Sequence, residues 1–260
     1  MIIALLTDFG TSDPYAGIMK GVILGINPDV KVVDITHAIS PQNIDEGACI
    51  LNNCYAFFPE QTLFVVVVDP GVGSNRNILL VKAENQLFLA PDNGVLKYIF
   101  YAHPDAEVFR INNEAYFLPA VSATFQGRDI FAPVAGHLSA GVAPAEMGEP
   151  VSDFIHGEVR LPDILEKQIT GEILYFDHFG NAVSNIDKKT LRHFISFDVV
   201  IGKKLFNQLS VSYTDVRAGE PLALIGSNNT VEISVNQGSA QKQLSLKAGD
   251  RVEIRNLKRK

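Results

Sequence analysis

Short apolar runs alternate with longer, helix-spaced segments over the first 150 residues of the chain. The clearest run is residues 65–68, four consecutive valines that end at Asp69-Pro70-Gly71. β-Branched residues favour extended backbone, and a run that is apolar on both faces suits a central, buried strand. Because ligands bind outside the carboxyl ends of parallel strands, Asp69 is a candidate site residue. Asp before Pro-Gly also suits ordinary turn chemistry, so a capping role for Asp69 is the alternative.

A mostly parallel α/β sheet is predicted for this region. Residues 2–7 have the pattern of a first strand and residues 15–26 that of a helix. The other predicted elements are strands at residues 30–35, 78–81 and 87–90, and helices at residues 44–58 and after the polar loop that begins at residue 122. Strands that alternate with helices are typical of α/β domains, whose binding sites lie along one sheet edge.

Asp8 lies at a second predicted strand end, directly before Phe9-Gly10. A carboxylate at the end of a buried strand needs a partner, and the two hydroxyls of a ribose would supply two donors. By contrast, Arg76 taken alone is typical of a solvated surface arginine. Arg128 and Asp129 are interpreted as an internal ion pair that positions their loop.

The second part of the chain has a different pattern. From residue 169 onward, short β-patterned segments recur without strong helical spacing, which predicts a small antiparallel barrel or sandwich. These segments are residues 169–176, 198–201, 209–213, 222–225, 230–235 and 251–254. The predicted organisation is an α/β domain at residues 1–157 and a smaller antiparallel β-barrel domain at residues 168–260.

Composition narrows the classes of protein to which the chain can belong. Its 260 residues are 47% hydrophobic and 20% charged, and they carry a net charge of −7, which disfavours a nucleic-acid surface and suits a cationic small ligand. No apolar run has the length of about 20 residues that a membrane-spanning helix needs. The first residues lack the features of a signal peptide, so a cytoplasmic location is predicted. Cys49 and Cys54 have neither metal-ligand nor redox-motif spacing.

Common nucleotide-binding and hydrolase motifs are absent from the sequence. There is no Walker loop, no GxGxxG after the first strand, no GxSxG elbow and no HExxH. Asp177 and His178, with Asp8 and Asp69, would have to ligate a metal from distant loops. A metal-free site is therefore the preferred interpretation.

Eight motifs occur in order along the chain: Thr7-Asp8-Phe9-Gly10, Asp34-Ile35-Thr36-His37, Asp45-Glu46-Gly47-Ala48, Val68-Asp69-Pro70-Gly71-Val72-Gly73, Ala90-Pro91-Asp92-Asn93-Gly94, Gly127-Arg128-Asp129, Asp177-His178-Phe179-Gly180-Asn181 and Asn236-Gln237-Gly238-Ser239-Ala240. With these motifs the chain resembles a known family, the S-adenosylmethionine hydrolases or hydroxide adenosyltransferases, which share their fold with fluorinase and chlorinase. The resemblance implies an α/β domain, a β-barrel and a homotrimer, with active sites between one subunit's N-terminal domain and its neighbour's C-terminal domain. It also implies metal-independent, cofactor-free hydrolysis of S-adenosylmethionine to adenosine and methionine, by attack of water on the 5′ carbon.

The resemblance also implies roles for particular residues. Asp69 would accept a proton from the attacking water or orient it, and Arg76 would hold the carboxylate. Asp8 would bind the ribose, Asp177 would meet the amino group of the methionine portion, and backbone groups around Ala240 would read adenine. The remaining implied substrate contacts are Asn93, Asn181, Ser227, Asn228 and Glu232.

One position departs from the family pattern. The third water-handling residue of the hydrolases is a histidine in the motif Thr-Phe-His-Gly-Arg-Asp, and this chain has Gln126 there. Glutamine can bind a water but cannot accept its proton near neutral pH. Reduced or altered turnover is therefore predicted, and His137, on the following helix, is a candidate substitute.

Three other functions are weighed against hydrolysis. A halogenase of this family has tyrosine, threonine and serine where this chain has Asp69, Val72 and Gly127. A catalytically weak adenosyl-binding protein would explain Gln126 but not an intact Asp69 and Arg76. A nucleotidase or metal hydrolase would lose activity on chelation and would release phosphate.

Overall fold

The computed structural model describes residues 1–259, and Lys260 lies outside the described residues. The chain divides into two compact units, Met1–Val159 and the part that begins at Arg160. Within the described residues, no helix combines the length and apolar character needed to cross a membrane.

The first unit contains a seven-stranded sheet in the order β2-β1-β3-β5-β4-β6-β7. Its strands are β1 (Ile2–Thr7), β2 (Lys31–Thr36), β3 (Thr62–Val67), β4 (Ile78–Ala83), β5 (Gln86–Pro91), β6 (Glu107–Ile111) and β7 (Gly148–Pro150). The pairings β1–β2, β1–β3 and β3–β5 are parallel, whereas β4–β5, β4–β6 and β6–β7 are antiparallel. The expected mostly parallel sheet is thus wrong in detail, because the sheet is mixed.

The connection from β4 to β5 explains this mixture. Only Glu84 and Asn85 separate the two strands. A connection of two residues can join antiparallel strands but is too short for a parallel crossover. β4 is buried and apolar, as the strands of a parallel sheet are. Its composition therefore did not reveal that its direction is antiparallel.

Helices cover both faces of this sheet. They are α1 (Tyr15–Ile26), α2 (Ile44–Cys54), α3 (Lys97–Ala102), α4 (Ala132–Ser139) and α5 (Pro144–Met147). One core holds Met19 of α1 and Val134 of α4, and the other holds Leu51 of α2 and Ile99 of α3. The helix predicted at residues 15–26 is confirmed, whereas that predicted at 44–58 ends at Cys54 and continues as a 3₁₀ turn, Tyr55–Phe57.

The second unit is a barrel-like, antiparallel sheet in the order β12-β11-β15-β9-β10-β14-β13, with β8 paired to β9. Its strands are β8 (Asp163–Ile164), β9 (Ile169–Phe176), β10 (Ala182–Asp187), β11 (Phe194–Ile201), β12 (Lys204–Phe206), β13 (Pro221–Ile225), β14 (Thr230–Val235) and β15 (Arg251–Arg259). Two four-residue helices, α6 (Lys188–Leu191) and α7 (Ala240–Gln243), complete the unit. The antiparallel character predicted for this region is confirmed.

The strand predicted at residues 209–213 is wrong. Ser210 forms only an isolated bridge to Leu224, and Tyr213–Asp215 is a 3₁₀ turn. The Asp215 carboxylate accepts hydrogen bonds from the N–H groups of Val211 and Ser212, at 2.7 and 3.3 Å. Such local side-chain to backbone bonds compete with strand pairing.

Candidate active site

Asp69 and Arg76 form a buried ion pair beyond the carboxyl end of β3. Their side chains are 4% and 9% exposed, respectively. Arg76 Nε lies 2.8 Å from both Oδ1 and Oδ2 of Asp69, and Arg76 Nη2 also donates to Oδ2. The interpretation of Arg76 as a solvated surface residue is therefore wrong. This fork-shaped contact fixes the orientation of the carboxylate.

A tight loop brings the two residues together. The Val72 N–H donates to the Asp69 carbonyl at 3.2 Å, and Gly73 has a φ of +79°. A Cβ added at Gly73 would lie 2.3 Å from the carbonyl oxygen of Ala123. Only glycine therefore allows this loop to approach the segment that leads to Gln126.

Gln126 joins the ion pair from a distant part of the sequence. Arg76 Nη2 donates to Oε1 of Gln126 at 2.5 Å. Gln126 directly precedes a π-helical turn, Gly127–Phe131, and such turns are frequent at functional sites. Phe131 supports the cluster, since its ring centroid lies 5.9 Å from the Arg76 guanidinium carbon. The structure thus brings Asp69, Arg76 and Gln126 into one contact group.

The predicted ion pair between Arg128 and Asp129 is confirmed. Arg128 Nε and Nη2 donate to the Asp129 carboxylate at 2.6 and 3.0 Å, and the Ser122 N–H donates to it at 2.7 Å. Burial opposes ionisation of Asp129, but these donors outweigh it and lower its pKa below the ordinary value. The pair therefore anchors the loop that carries Gln126.

Asp8 lies at the same sheet edge as Asp69. β1 and β3 are adjacent and parallel, with Thr7 paired to Val67, so the two carboxylates follow neighbouring strand ends. Asp8 Oδ2 accepts the N–H of Gln42 at 2.8 Å. His37 fixes this corner, because its carbonyl accepts the Gly10 N–H at 2.7 Å.

The side chain of Asn93 is bonded to backbone groups at both ends. Its Nδ2 donates to the Val68 carbonyl at 2.9 Å, and its Oδ1 accepts the Val95 N–H at 3.1 Å. Asn93 therefore lies beside the start of the loop that carries Asp69.

A cavity of about 660 Å³ in the second unit contains most of the other predicted contacts. Its lining residues are Asp177, Phe179, Asn181, Tyr213, Ser227, Glu232, Val235, Asn236, Gln237 and Gly238. Asn228 lies outside this lining and donates from Nδ2 to the Tyr175 hydroxyl at 2.9 Å. Ala240 is buried at the first position of α7.

Two carboxylates give the cavity its charge. Asp177 accepts the N–H groups of Phe179 and Asn181 at 3.0 and 2.8 Å, and the Asn181 amide at 2.9 Å. Glu232, only 6% exposed, accepts the Ser234 hydroxyl at 2.7 Å. Both charged lining residues are acids, so the cavity suits a ligand with a cationic group.

Tyr213 is a lining residue that the sequence analysis did not identify as a site residue. Its hydroxyl donates to Oε1 of Glu232 at 2.8 Å. Burial, the bond to Glu232 and the charges of Glu232 and Asp177 raise the pKa of Tyr213 to about 12. The local signal was its position in a polar turn, which was interpreted instead as part of a strand.

No group of three or more His, Cys, Asp or Glu side chains that could hold a metal ion occurs within residues 1–259.

Comparisons with known proteins cover both units. Residues 3–148 match the sequence model of the SAM hydroxide adenosyltransferase N-terminal domain, and residues 171–253 match that of the C-terminal domain. A Thermus thermophilus protein named (R)-S-adenosyl-L-methionine hydrolase is 34% identical over 256 residues, which cover 96% of this chain and 97% of the relative.

Two further comparisons extend this result. The crystal structure of an uncharacterized conserved protein from Thermotoga maritima has a TM-score of 0.90 and 37% identity, and the match covers 98% of this chain and 100% of that one. A Nocardia brasiliensis fluorinase is 26% identical in an alignment 291 residues long, which covers 98% of this chain and 96% of the relative.

Proposed function

This chain belongs to the SAM hydroxide adenosyltransferase family, and from that membership we propose that it hydrolyses S-adenosylmethionine to adenosine and methionine. Relatives at 32–34% identity over nearly the full chain carry the name (R)-S-adenosyl-L-methionine hydrolase, which supports this assignment. The named relatives also suggest the (R) configuration at the sulfonium of the substrate.

The reaction makes modest chemical demands on the protein. Water attacks the 5′ carbon, the carbon–sulfur bond breaks, and its electron pair neutralises the sulfonium as methionine leaves. One proton is released from the attacking water. Because the leaving group is good, the main task of the protein is to hold the water in line with the carbon–sulfur bond. Orientation alone can lower the activation free energy by several kcal/mol.

The contact among Asp69, Arg76 and Gln126 is the observation that carries this proposal. Asp69 accepts the proton of the attacking water or orients it, and Arg76 holds the carboxylate in place. The Gln126 oxygen already accepts from Arg76, so its Nε2 is the end that donates to the water. Gln126 therefore orients the nucleophile without accepting its proton.

Other residues recognise the two ends of the substrate. Asp8 binds the ribose hydroxyls at the sheet edge. In the second unit, Asp177 meets the ammonium group of the methionine portion, and backbone groups around Ala240 read adenine. The remaining proposed substrate contacts are Asn181, Ser227, Asn228 and Glu232. Asn93, which the resemblance also implies as a contact, is not among them, because both ends of its amide are hydrogen-bonded to backbone groups.

We further propose a homotrimer with active sites at subunit interfaces, a cytoplasmic location, and catalysis without a metal or cofactor. The trimer is supported by the resemblance of the motifs to the family pattern. Size-exclusion chromatography with light scattering tests it, and a monomer of 28.4 kDa would contradict it.

The decisive experiment incubates the protein separately with the (R) and the (S) sulfonium epimer of S-adenosylmethionine and measures the products by chromatography. Each reaction is run in halide-free buffer, with and without EDTA. Equal amounts of adenosine and methionine, unaffected by EDTA, are expected, with the (R) epimer preferred. Binding of S-adenosylmethionine without product would favour the adenosyl-binding alternative. Loss of activity with EDTA would contradict the metal-free mechanism.

Halogenation is the second candidate, because fluorinases occur among the more distant relatives. Val72 and Gly127 lack the hydroxyl groups expected of a halide pocket. The Asp69 carboxylate would also repel a halide at the nucleophile position. A 5′-halogenated product at high chloride or fluoride would be needed to support this function.

A further inference from the structure

The segment after β5 lies between the two ends of the loop that carries Asp69 and Arg76. β5 lies between β3 and β4 in the sheet. The loop leaves β3 at Val68 and returns to β4 at Asn77, so it passes the carboxyl end of β5. Asp92 and Asn93 come directly after β5 and lie next to both ends of the loop.

Asn93 binds the start of the loop. Its Nδ2 donates to the carbonyl of Val68, the residue before Asp69, at 2.9 Å. The Val95 N–H donates to its Oδ1 at 3.1 Å, which fixes the orientation of the amide.

Asp92 binds the end of the loop. Its N–H donates to the carbonyl of Asn77, the residue after Arg76, at 3.0 Å. The Asn77 amide donates to Asp92 Oδ2 at 3.2 Å, and the Ile155 N–H donates to Oδ1 at 2.8 Å. Asp92 is only 8% exposed. Buried polar groups need hydrogen-bond partners, and here the protein itself supplies the donors to the carboxylate.

We propose that Asp92 and Asn93 are positioning residues for the Asp69–Arg76 pair, an inference that rests on the water-handling role proposed for that pair. Together they hold Val68 and Asn77 at a set separation across the end of β5. The fork contact between Arg76 and Asp69 depends on that separation, because both side chains come from the ends of the same loop. Misplacement of a reacting group by about 1 Å can reduce a rate about 100-fold.

The test compares kcat and KM for S-adenosylmethionine in Asn93→Asp, Asp92→Asn and Asn113→Asp. Asn93→Asp keeps the size of the side chain but removes the donor to Val68. Asp92→Asn replaces one of the two carboxylate oxygens with an NH₂ group. The variant can then accept a hydrogen bond from the Asn77 amide or from the Ile155 N–H, but not from both. Asn113 is the matched control, because its Nδ2 also donates to a carbonyl, that of Glu146 at 2.7 Å, and its Oδ1 accepts the N–H of Ala115 at 3.2 Å.

For both test variants, kcat is expected to fall about 10-fold to 100-fold, while KM stays within about twofold of the wild type. Asn113→Asp is expected to keep both constants. Circular dichroism shows whether each variant is folded, and if one does not fold, the other decides the outcome.

An unchanged kcat in a folded test variant would overturn the inference, while the proposed function would stand. A raised KM with unchanged kcat would also overturn it, because it would indicate direct substrate contact. If the wild type releases neither adenosine nor methionine, the proposed function fails, and the positioning role fails with it.

Discussion

Arg76 donates from Nη2 to the side-chain oxygen of Gln126 at 2.5 Å, and this bond determines which end of the amide is left for a ligand. Replacing Gln126 with histidine is expected to raise kcat for S-adenosylmethionine hydrolysis about tenfold or more, because general-base groups contribute about 10²–10⁴-fold. The gain should appear above a pH of about 6.5, where imidazole is neutral and can accept a proton. Steady-state kinetics between pH 5 and 9 measures it.

Gln126→Leu provides the control for this substitution. Leucine has a similar size but cannot accept the hydrogen bond from Arg76 or donate one to the water. The kcat of this variant should therefore fall below that of the wild type. The expected kcat is therefore highest with histidine at position 126, intermediate with the wild-type glutamine and lowest with leucine. A histidine variant no faster than the wild type would contradict the proposed role of position 126.

Substitution of Asp69 by Asn should remove most of the activity. The variant loses the proton acceptor, and kcat/KM is expected to fall about 10²–10⁴-fold. Breaking a buried ion pair by removing one charge also destabilises a protein by about 3–5 kcal/mol, so the free energy of unfolding should fall. Product chromatography and urea denaturation measure the two effects.

The matched control for Asp69→Asn is Glu107→Gln. Glu107 forms an ion pair with Lys82 at 2.7 Å, but the two side chains are 58% and 48% exposed, respectively. Exposed pairs contribute about 0–1 kcal/mol, so this variant should keep its activity and most of its stability. Similar losses in both variants would argue against a special role for Asp69.

Gly73→Ala is expected to reduce both activity and stability. The substitution strains a backbone with φ of +79° and places a Cβ 2.3 Å from the Ala123 carbonyl oxygen. The resulting shift would separate the Asp69 loop from the segment that carries Gln126. Kinetics and calorimetry provide the measurements.

Gly141→Ala separates these two effects. Its φ is +99°, and an added Cβ would meet no atom of the described residues within 4 Å. Both variants should therefore lose the roughly 1–2 kcal/mol that left-handed backbone costs an L-residue. Only Gly73→Ala should also lose activity, and equal activity in both would exclude the steric explanation.

Tyr213 should titrate well above an ordinary tyrosine. Its pKa is raised to about 12 from the ordinary value of 10.0 by burial, its bond to Glu232 and the nearby negative charges. The folded state favours the neutral phenol, so this contribution to stability is fully present below pH 10 and is lost as the pH rises from 10 through 12. Phenolate absorbance measures this titration without overlap from tryptophan, which the chain lacks. Because all seven tyrosines contribute to the signal, the step of Tyr213 is identified by substitution.

The comparison for this titration is Glu232→Gln. Removing the charge of Glu232 should lower the pKa of Tyr213 toward its ordinary value, and Tyr213→Phe identifies the corresponding step in the wild-type curve. If Tyr213→Phe removes a step near pH 10 instead, the proposed coupling between Tyr213 and Glu232 is wrong.

Features that depend on short stretches of sequence could be predicted. The helix Tyr15–Ile26 follows from the spacing of its apolar residues, and β9 and β14 have the predicted bounds. The buried strand before Asp69 follows from its run of valines. The exchange of the family histidine for Gln126 is also visible in a single motif.

Other features needed the folded chain. Arg76 has the composition of a surface residue, yet its side chain is 9% exposed and bonded to Asp69 and Gln126. The order of strands around β5 was also not predictable, because parallel and antiparallel strands of a buried sheet have similar apolar sequences. That order gives Asp92 and Asn93 their partners.

The sequence by itself determined the family, the two-part organisation of its elements and the residue types of the proposed site, because these reside in local patterns and motifs. Only the tertiary structure decided which of those residues meet. Arg76 and Gln126 are 50 positions apart, and Tyr213 and Glu232 are 19 apart. Such contacts depend on how strands pair and loops close, which the spacing of apolar residues does not encode.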